Sequence, residues 1–183
     1  MYMSRNTDYL QRLTSQNKRV FGNSELALLW GITNKNTLRT TLARYQKRGM
    51  LFRLYTGIYS VLPVAKLNIY EIGCAIAGPL SYISCETILT TEGLINQPVY
   101  TITLMGKKRK EFLINNQKYL CRYLNPRFLI NRLGILQGDG YSIASSLRAN
   151  ADLKRVQPDY HLDGAIQINQ KDLIKLQKQL GYI

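Results

Sequence analysis

The sequence predicts an α+β chain: a winged helix-turn-helix domain over residues 1–64, followed by an α+β domain with an antiparallel sheet over residues 65–183. Three observations predict it. Two helical patterns flank a tight glycine-containing turn and run directly into two strand-like segments. Two helices, three β-rich runs and two more helices then follow in separate runs through the second part, the pattern of an α+β arrangement. Pro63, in Leu62-Pro63-Val64-Ala65-Lys66, closes the last strand of the first part, because proline cannot continue a ladder.

Each element of the first domain has its own signal. Residues 3–15 place Tyr9, Leu10 and Leu13 at helical spacing. A short helix starts near Phe21-Gly22, with Asn23 or Ser24 as cap and Glu25 in the dipole-favoured first turn. Leu26, Leu29 and Trp30 form its apolar face, and Gly31-Ile32-Thr33 breaks it. The next helix runs from Asn34 to about Arg48, where Gly49 suits a left-handed cap. Leu51–Leu54 and Ile58–Val61, joined by Tyr55-Thr56-Gly57, predict a β-hairpin, the wing.

In the second domain Asn68 and Glu71 have capping-box spacing for a helix ending at Gly78-Pro79, and a second helix spans about Ser84 to Glu92 before Gly93. Val99–Met105, Glu111–Asn115 and Tyr119–Tyr123 predict three strands of an antiparallel meander. Ser145–Val156 and Gln170–Leu180, the latter capped by Gly181, predict the last helices.

Charge narrows the function. The 183 residues carry 25 Lys and Arg against 11 acids, a net charge of +14 and a pI near 9.8. Residues 1–64 hold ten basic residues and two acids, an excess of eight in a third of the chain. Such an excess favours a polyanion, nucleic acid or an anionic membrane surface. No apolar run approaches the roughly 20 residues that span a bilayer, nor is there a signal-type segment, so a cytoplasmic protein without membrane contact is expected. Cys74, Cys85 and Cys121 have no metal-type spacing and the chain has one histidine, so neither a disulfide framework nor a metal is expected. No cofactor is expected either, for want of a phosphate-cradling glycine motif.

The helix from Asn34 to Arg48 makes duplex DNA the preferred partner. Leu38, Leu42 and Tyr45 should face the core. Lys35, Asn36, Thr37, Arg39, Thr40, Arg44, Lys47 and Arg48 are left for the outside, with no carboxylate to pair them. Asn36 and Arg39 are of the types that read base edges bidentately, whereas Lys35, Lys47 and Arg48 suit phosphates. Arg53, Tyr55 and Thr56 are the wing candidates, with packing the alternative for Tyr55. The alternative for the helix is a solvated basic face. Lys107, Lys108, Arg109 and Lys110 form a further candidate contact for nucleic acid or an acidic partner, with a solvated hairpin turn as the alternative.

Catalytic signals are thin. His161 beside Asp163 could form a general base, against the alternative of a surface histidine. Ser84-Cys85-Glu86 has no neighbouring histidine to activate a nucleophile. No enzyme activity is expected.

Ser24 to Ala27, Thr37, Leu38, Arg39 and Leu42, then Gly49, Leu51, Arg53, Gly57, Ile58 and Tyr59 together resemble the winged-helix domain of AbiEi-type antitoxins. The second half continues the likeness through Tyr70-Glu71, Gly78-Pro79, Tyr82 to Glu86, Gly93-Leu94-Ile95, and Leu147-Arg148-Ala149 with Asp152. The position before Arg148, acidic in many relatives, is Leu147 here. The resemblance implies the antitoxin of a type IV (abortive infection) toxin–antitoxin system. It implies repression of the protein's own promoter at inverted repeats, as a monomer or dimer on DNA. It also implies a C-terminal domain that counters a nucleotidyltransferase-like toxin without a stable complex. Two rival readings remain: a stand-alone winged-helix regulator with a ligand-sensing or dimerisation domain, and a nucleic-acid-processing enzyme that a winged helix targets.

Overall fold

The computed structural model describes residue 9 and residues 11–16, 18–160, 162 and 169–183. His161 and Asp163 lie outside the described residues. The chain is α+β and packs as two compact units, Met1–Ile76 and Ala77–Ile183. That division falls later than the expected one at Pro63. One cause is visible: Glu71, almost fully buried, accepts a hydrogen bond from Arg19 Nε at 2.9 Å and so ties the helix after Pro63 back to the first unit.

In the first unit residues 11–14 are helical. Strand β1 (Val20–Gly22) leads directly into helix α1 (Asn23–Trp30). The cap of α1 is Gly22, not Asn23 or Ser24: the Gly22 N–H donates to Glu25 Oε2 at 2.7 Å, so Glu25 reaches back over the helix start. Gly31 (φ 64°) ends α1. Helix α2 (Lys35–Lys47) is capped by Asn34, whose Oδ1 accepts from the N–H groups of Asn36 and Thr37 at 2.9 and 3.1 Å. Strands β2 (Phe52–Tyr55) and β3 (Ile58–Ser60) form the expected hairpin. It is not alone: β1, expected only as a helix start, pairs antiparallel with β3, giving the order β1-β3-β2. At three residues, β1 is too short for alternation to show. Leu13, Phe21, Leu26, Trp30, Leu42, Tyr45, Leu51 and Tyr59 make one core. Within it Trp30 lies between the rings of Tyr9 and Tyr45, at 5.2 and 5.4 Å. Helix α3 (Ile69–Ala77) runs up to the division between the units, its start capped by Asn68.

The second unit is built on a six-stranded sheet, order β6-β7-β5-β4-β9-β8. The strands are β4 (Tyr82–Ile83), β5 (Ile102–Gly106), β6 (Lys110–Ile114), β7 (Gln117–Tyr123), β8 (Ile135–Gln137) and β9 (Ser142–Ala144). The sheet is mixed, which corrects the expected antiparallel meander. β5 pairs parallel with β7, and β4 with β9. Burial along the strands fits this order. Ile102 to Gly106 is buried on both faces, as a central strand must be. Lys110-Glu111 and exposed Leu113 suit β6 to an edge. Asn115 and Asn116, both at positive φ, make the tight turn that folds β7 back onto β6, and the other edge of β7 pairs with β5. Helices α4 (Glu86–Thr91), α6 (Ser146–Val156) and α7 (Gln170–Leu180) fall near their expected places, and a short α5 (Pro126–Leu129) was not expected.

A buried polar cluster organises this unit. Arg148 is fully buried and all five of its N–H groups are used. Nε donates to Asp152 Oδ1 at 3.0 Å, one terminal nitrogen to the Asn131 and Leu133 carbonyls, and the other to the Tyr82 and Tyr182 hydroxyls. Asp152 also accepts from Ser84 Oγ at 2.7 Å and from the Tyr182 hydroxyl. Burial first, then the neighbouring Asp152 carboxylate, pushes the Tyr82 and Tyr182 hydroxyls well above the ordinary tyrosine value. Both stay protonated and able to donate.

Candidate nucleic-acid interface

Helix α2 owes its place to its inner face. Tyr45 and Leu42 are buried, Leu38 packs partly against the same core, and Thr41 is buried beside them. At about 100° per residue, Asn36, Thr40, Ala43 and Lys47 form one stripe opposite that face, with Arg39 and Arg44 flanking it. All six are exposed, as are Lys35, Thr37 and Arg48. Every expected candidate on this helix therefore lies at the surface of one rigid element. Lys35, Arg39, Lys47 and Arg48 have no acidic partner among the described residues. Arg44 leans over the edge of Tyr45, 5.9 Å from the ring centre. Such an arrangement offers a row of cations and polar side chains, four of whose cations meet no carboxylate among the described residues.

The start of α2 adds to this. Asn34 spends its side chain on the Asn36 and Thr37 N–H groups, so the backbone at the helix start is neutralised without introducing a negative charge. Glu25, at the start of α1, is occupied with the Lys18 ammonium and the Gly22 N–H. Burial alone would raise its pKa, but those two partners outweigh it and hold the carboxyl below its ordinary value.

The hairpin is compact. Gly57, at φ 74°, closes its turn, and the Gly57 carbonyl accepts from the Asn23 N–H at 2.8 Å, pinning the tip to the start of α1. Arg53 is exposed, its Nε 3.5 Å from the Tyr55 carbonyl, whereas Tyr55 is half-buried.

In the second unit Lys107, Lys108 and Arg109 are exposed in the turn between β5 and β6. Lys110 is half-buried over the Phe112 ring at 5.6 Å, and Arg109 meets Glu111 at 3.3 Å in an exposed pair. Arg109 also lines an open cleft of about 410 Å³ with Leu120, Arg122, Tyr123, Val156 and Gln157. Arg122, which sequence reasoning missed, is held by Glu86 and by Gln157 Oε1 at 2.7 Å. This second basic group is therefore partly compensated, unlike α2. Cys85 is fully buried with its thiol 3.6 Å from the Met105 sulfur, and burial pushes that thiol up, away from a reactive thiolate.

Among the described residues no helix is long and apolar enough to cross a membrane. Neither the protein-family models nor the curated proteins include a match to this chain.

Proposed function

We propose that the chain is a sequence-reading DNA-binding regulator whose first unit is a winged helix, with α2 as the helix that enters the major groove. The observation that carries this reading is the outer face of α2: exposed Asn, Thr, Arg and Lys side chains on one thirteen-residue helix, without a carboxylate among them. Strand order β1-β3-β2, with β1 before the two helices and the hairpin after them, supports the winged-helix assignment. An α-helix, about 10–12 Å across with its side chains, fits the major groove, roughly 12 Å wide. Asn36 and Arg39 near its start then face base edges, and Lys47 and Arg48 at its end face phosphates.

The resemblance to AbiEi-type antitoxins extends the proposal: the DNA is the protein's own promoter, and the second unit counters a nucleotidyltransferase-like toxin. Tyr82, Ser84, Arg148 and Asp152, which carry much of that resemblance, meet in one buried cluster. Their buried placement gives them an architectural role, so the surface that counters the toxin is formed by other residues. No catalysis is assigned to either unit, and a cytoplasmic location follows from the proposed partner.

The test is binding to the duplex upstream of the protein's own gene over a range of salt. With about four to six phosphate contacts, log K falls with log salt at a slope of roughly −4 to −5 per bound chain. A flat salt response, or no binding to that duplex, contradicts the reading. Co-expression with the neighbouring gene product tests the second part. The Arg39→Ala/Arg44→Ala variant should still rescue growth if the second unit carries the antitoxin activity.

A further inference from the structure

The centre of the outer stripe of α2 is not polar. Ala43 is exposed there, between the polar positions Asn36 and Lys47 and beside Arg39. Its neighbour one turn back is Thr40, three residues away and so on the same face. Thr40 looks polar in the sequence, but its Oγ1 donates to the Asn36 carbonyl at 3.0 Å. With its proton spent on its own helix, the hydroxyl has no donor left for a ligand, and the Thr40 methyl is the apolar group beside it. Thr40 and Ala43 together therefore present two adjacent methyl groups in the middle of a stripe of donors and cations. An exposed apolar spot of this size gains nothing in water. Against DNA it matches one feature of the major groove, the C5 methyl of a pyrimidine, which side chains such as Ala and Thr contact through their own methyls.

We infer that Thr40 and Ala43 form a specificity-determining contact for a pyrimidine C5 methyl, in thymine or 5-methylcytosine. This rests on the reading of α2 as the groove-entering helix. It changes the role of Thr40 from polar contact to apolar one and adds Ala43, which composition alone does not single out. The short Ala43 side chain also lets the helix approach the base edges closely enough for Asn36 and Arg39 to reach them.

The experiment uses the full chain and a pool of random duplexes, from which the preferred sequence is selected. Each thymine of that sequence is then replaced singly by deoxyuridine, which removes only the methyl, and each cytosine singly by 5-methylcytosine. At one position, removal of the thymine methyl should weaken binding about fourfold, the effect of burying one methyl-sized group. If instead methylation of one cytosine strengthens binding about fourfold, the recognised group is 5-methylcytosine. Either result supports the inference, provided that the methyl effect at that position shrinks in Thr40→Ser and in Ala43→Gly. Thr40→Ser keeps the hydroxyl that bonds the Asn36 carbonyl and removes only the methyl, so helix stability is not the cause of its effect. A selected sequence whose affinity no C5 methyl alters, or a methyl effect unchanged in both variants, overturns the inference while leaving DNA reading by α2 intact. Failure to select any sequence overturns that reading, and the inference with it, before a methyl has been removed.

Discussion

Arg39 and Arg148 are the same residue type in opposite circumstances. Arg39 stands exposed on α2 with no acidic partner among the described residues; Arg148 is fully buried in the second unit with every donor occupied. A guanidinium without partners keeps its donors for a ligand, whereas one with five satisfied donors can only hold its surroundings together. The difference separates binding from architecture without reference to charge totals. It also explains why the basic excess is informative in the first unit and less so in the second. There, Arg122 and Arg109 are met by Glu86 and Glu111.

The contrast can be broken from the architectural side first, where the effect is largest. Arg148→Ala leaves the Asp152 carboxylate buried without its ion pair, and should destabilise the protein by about 3–5 kcal/mol. Denaturant midpoints measure this, and Arg148→Lys should not rescue, since an ammonium cannot reach two carbonyls, a carboxylate and two hydroxyls at once. A loss below about 1 kcal/mol would mean the cluster does not organise the unit.

The cap of α2 comes next. Asn34→Ala removes the acceptor for the Asn36 and Thr37 N–H groups and should cost about 1 kcal/mol of stability. Because Asn36 and Arg39 lie in the turns that fray, DNA affinity should fall with it. Circular dichroism melts and duplex titration together check the coupling.

The smallest effect is a pH dependence in the first unit. The folded-state pKa of Glu25 is below its ordinary value of 4.5, so its contribution is present above that value and is lost as pH falls through the folded pKa. Glu25→Gln should therefore lower stability at neutral pH and flatten its decline in acid. Urea midpoints between pH 7 and pH 3 show the change, and parallel curves for the two proteins would refute it.

The sequence shows some of this directly and hides the rest for physical reasons. Helix α2 was legible from end to end, because Leu38, Leu42 and Tyr45 mark its inner face while Asn34 and Gly49 bracket it. Helices α6 and α7 were equally plain, α7 down to its cap at Gly181, whereas Ser145, read as the first residue of α6, is its cap. Strands β1, β4, β8 and β9 are two or three residues long, too short for alternation to register. The parallel pairing of β5 with β7 depends on which strand inserts between which, a non-local matter that no single run encodes. The expected reading residues on α2 were visible as a list. The role of Thr40 was not, since it turns on one hydrogen bond to the Asn36 carbonyl. Nor was the partnership of Arg148 with Tyr82 and Tyr182, whose positions are far apart in the chain.

The most direct test of α2 as the reading helix is a titration of Asn36→Ala, Arg39→Ala and Lys47→Ala against the preferred and a scrambled duplex at two salt concentrations. Losing Asn36 or Arg39 should weaken the preferred duplex about tenfold or more, within the roughly 1–3 kcal/mol of one bidentate base contact, and the scrambled duplex much less. Losing Lys47 should weaken both alike and lower the salt slope by about one. If all three variants lose affinity for both duplexes in the same proportion, α2 is an electrostatic face and sequence is read elsewhere or not at all.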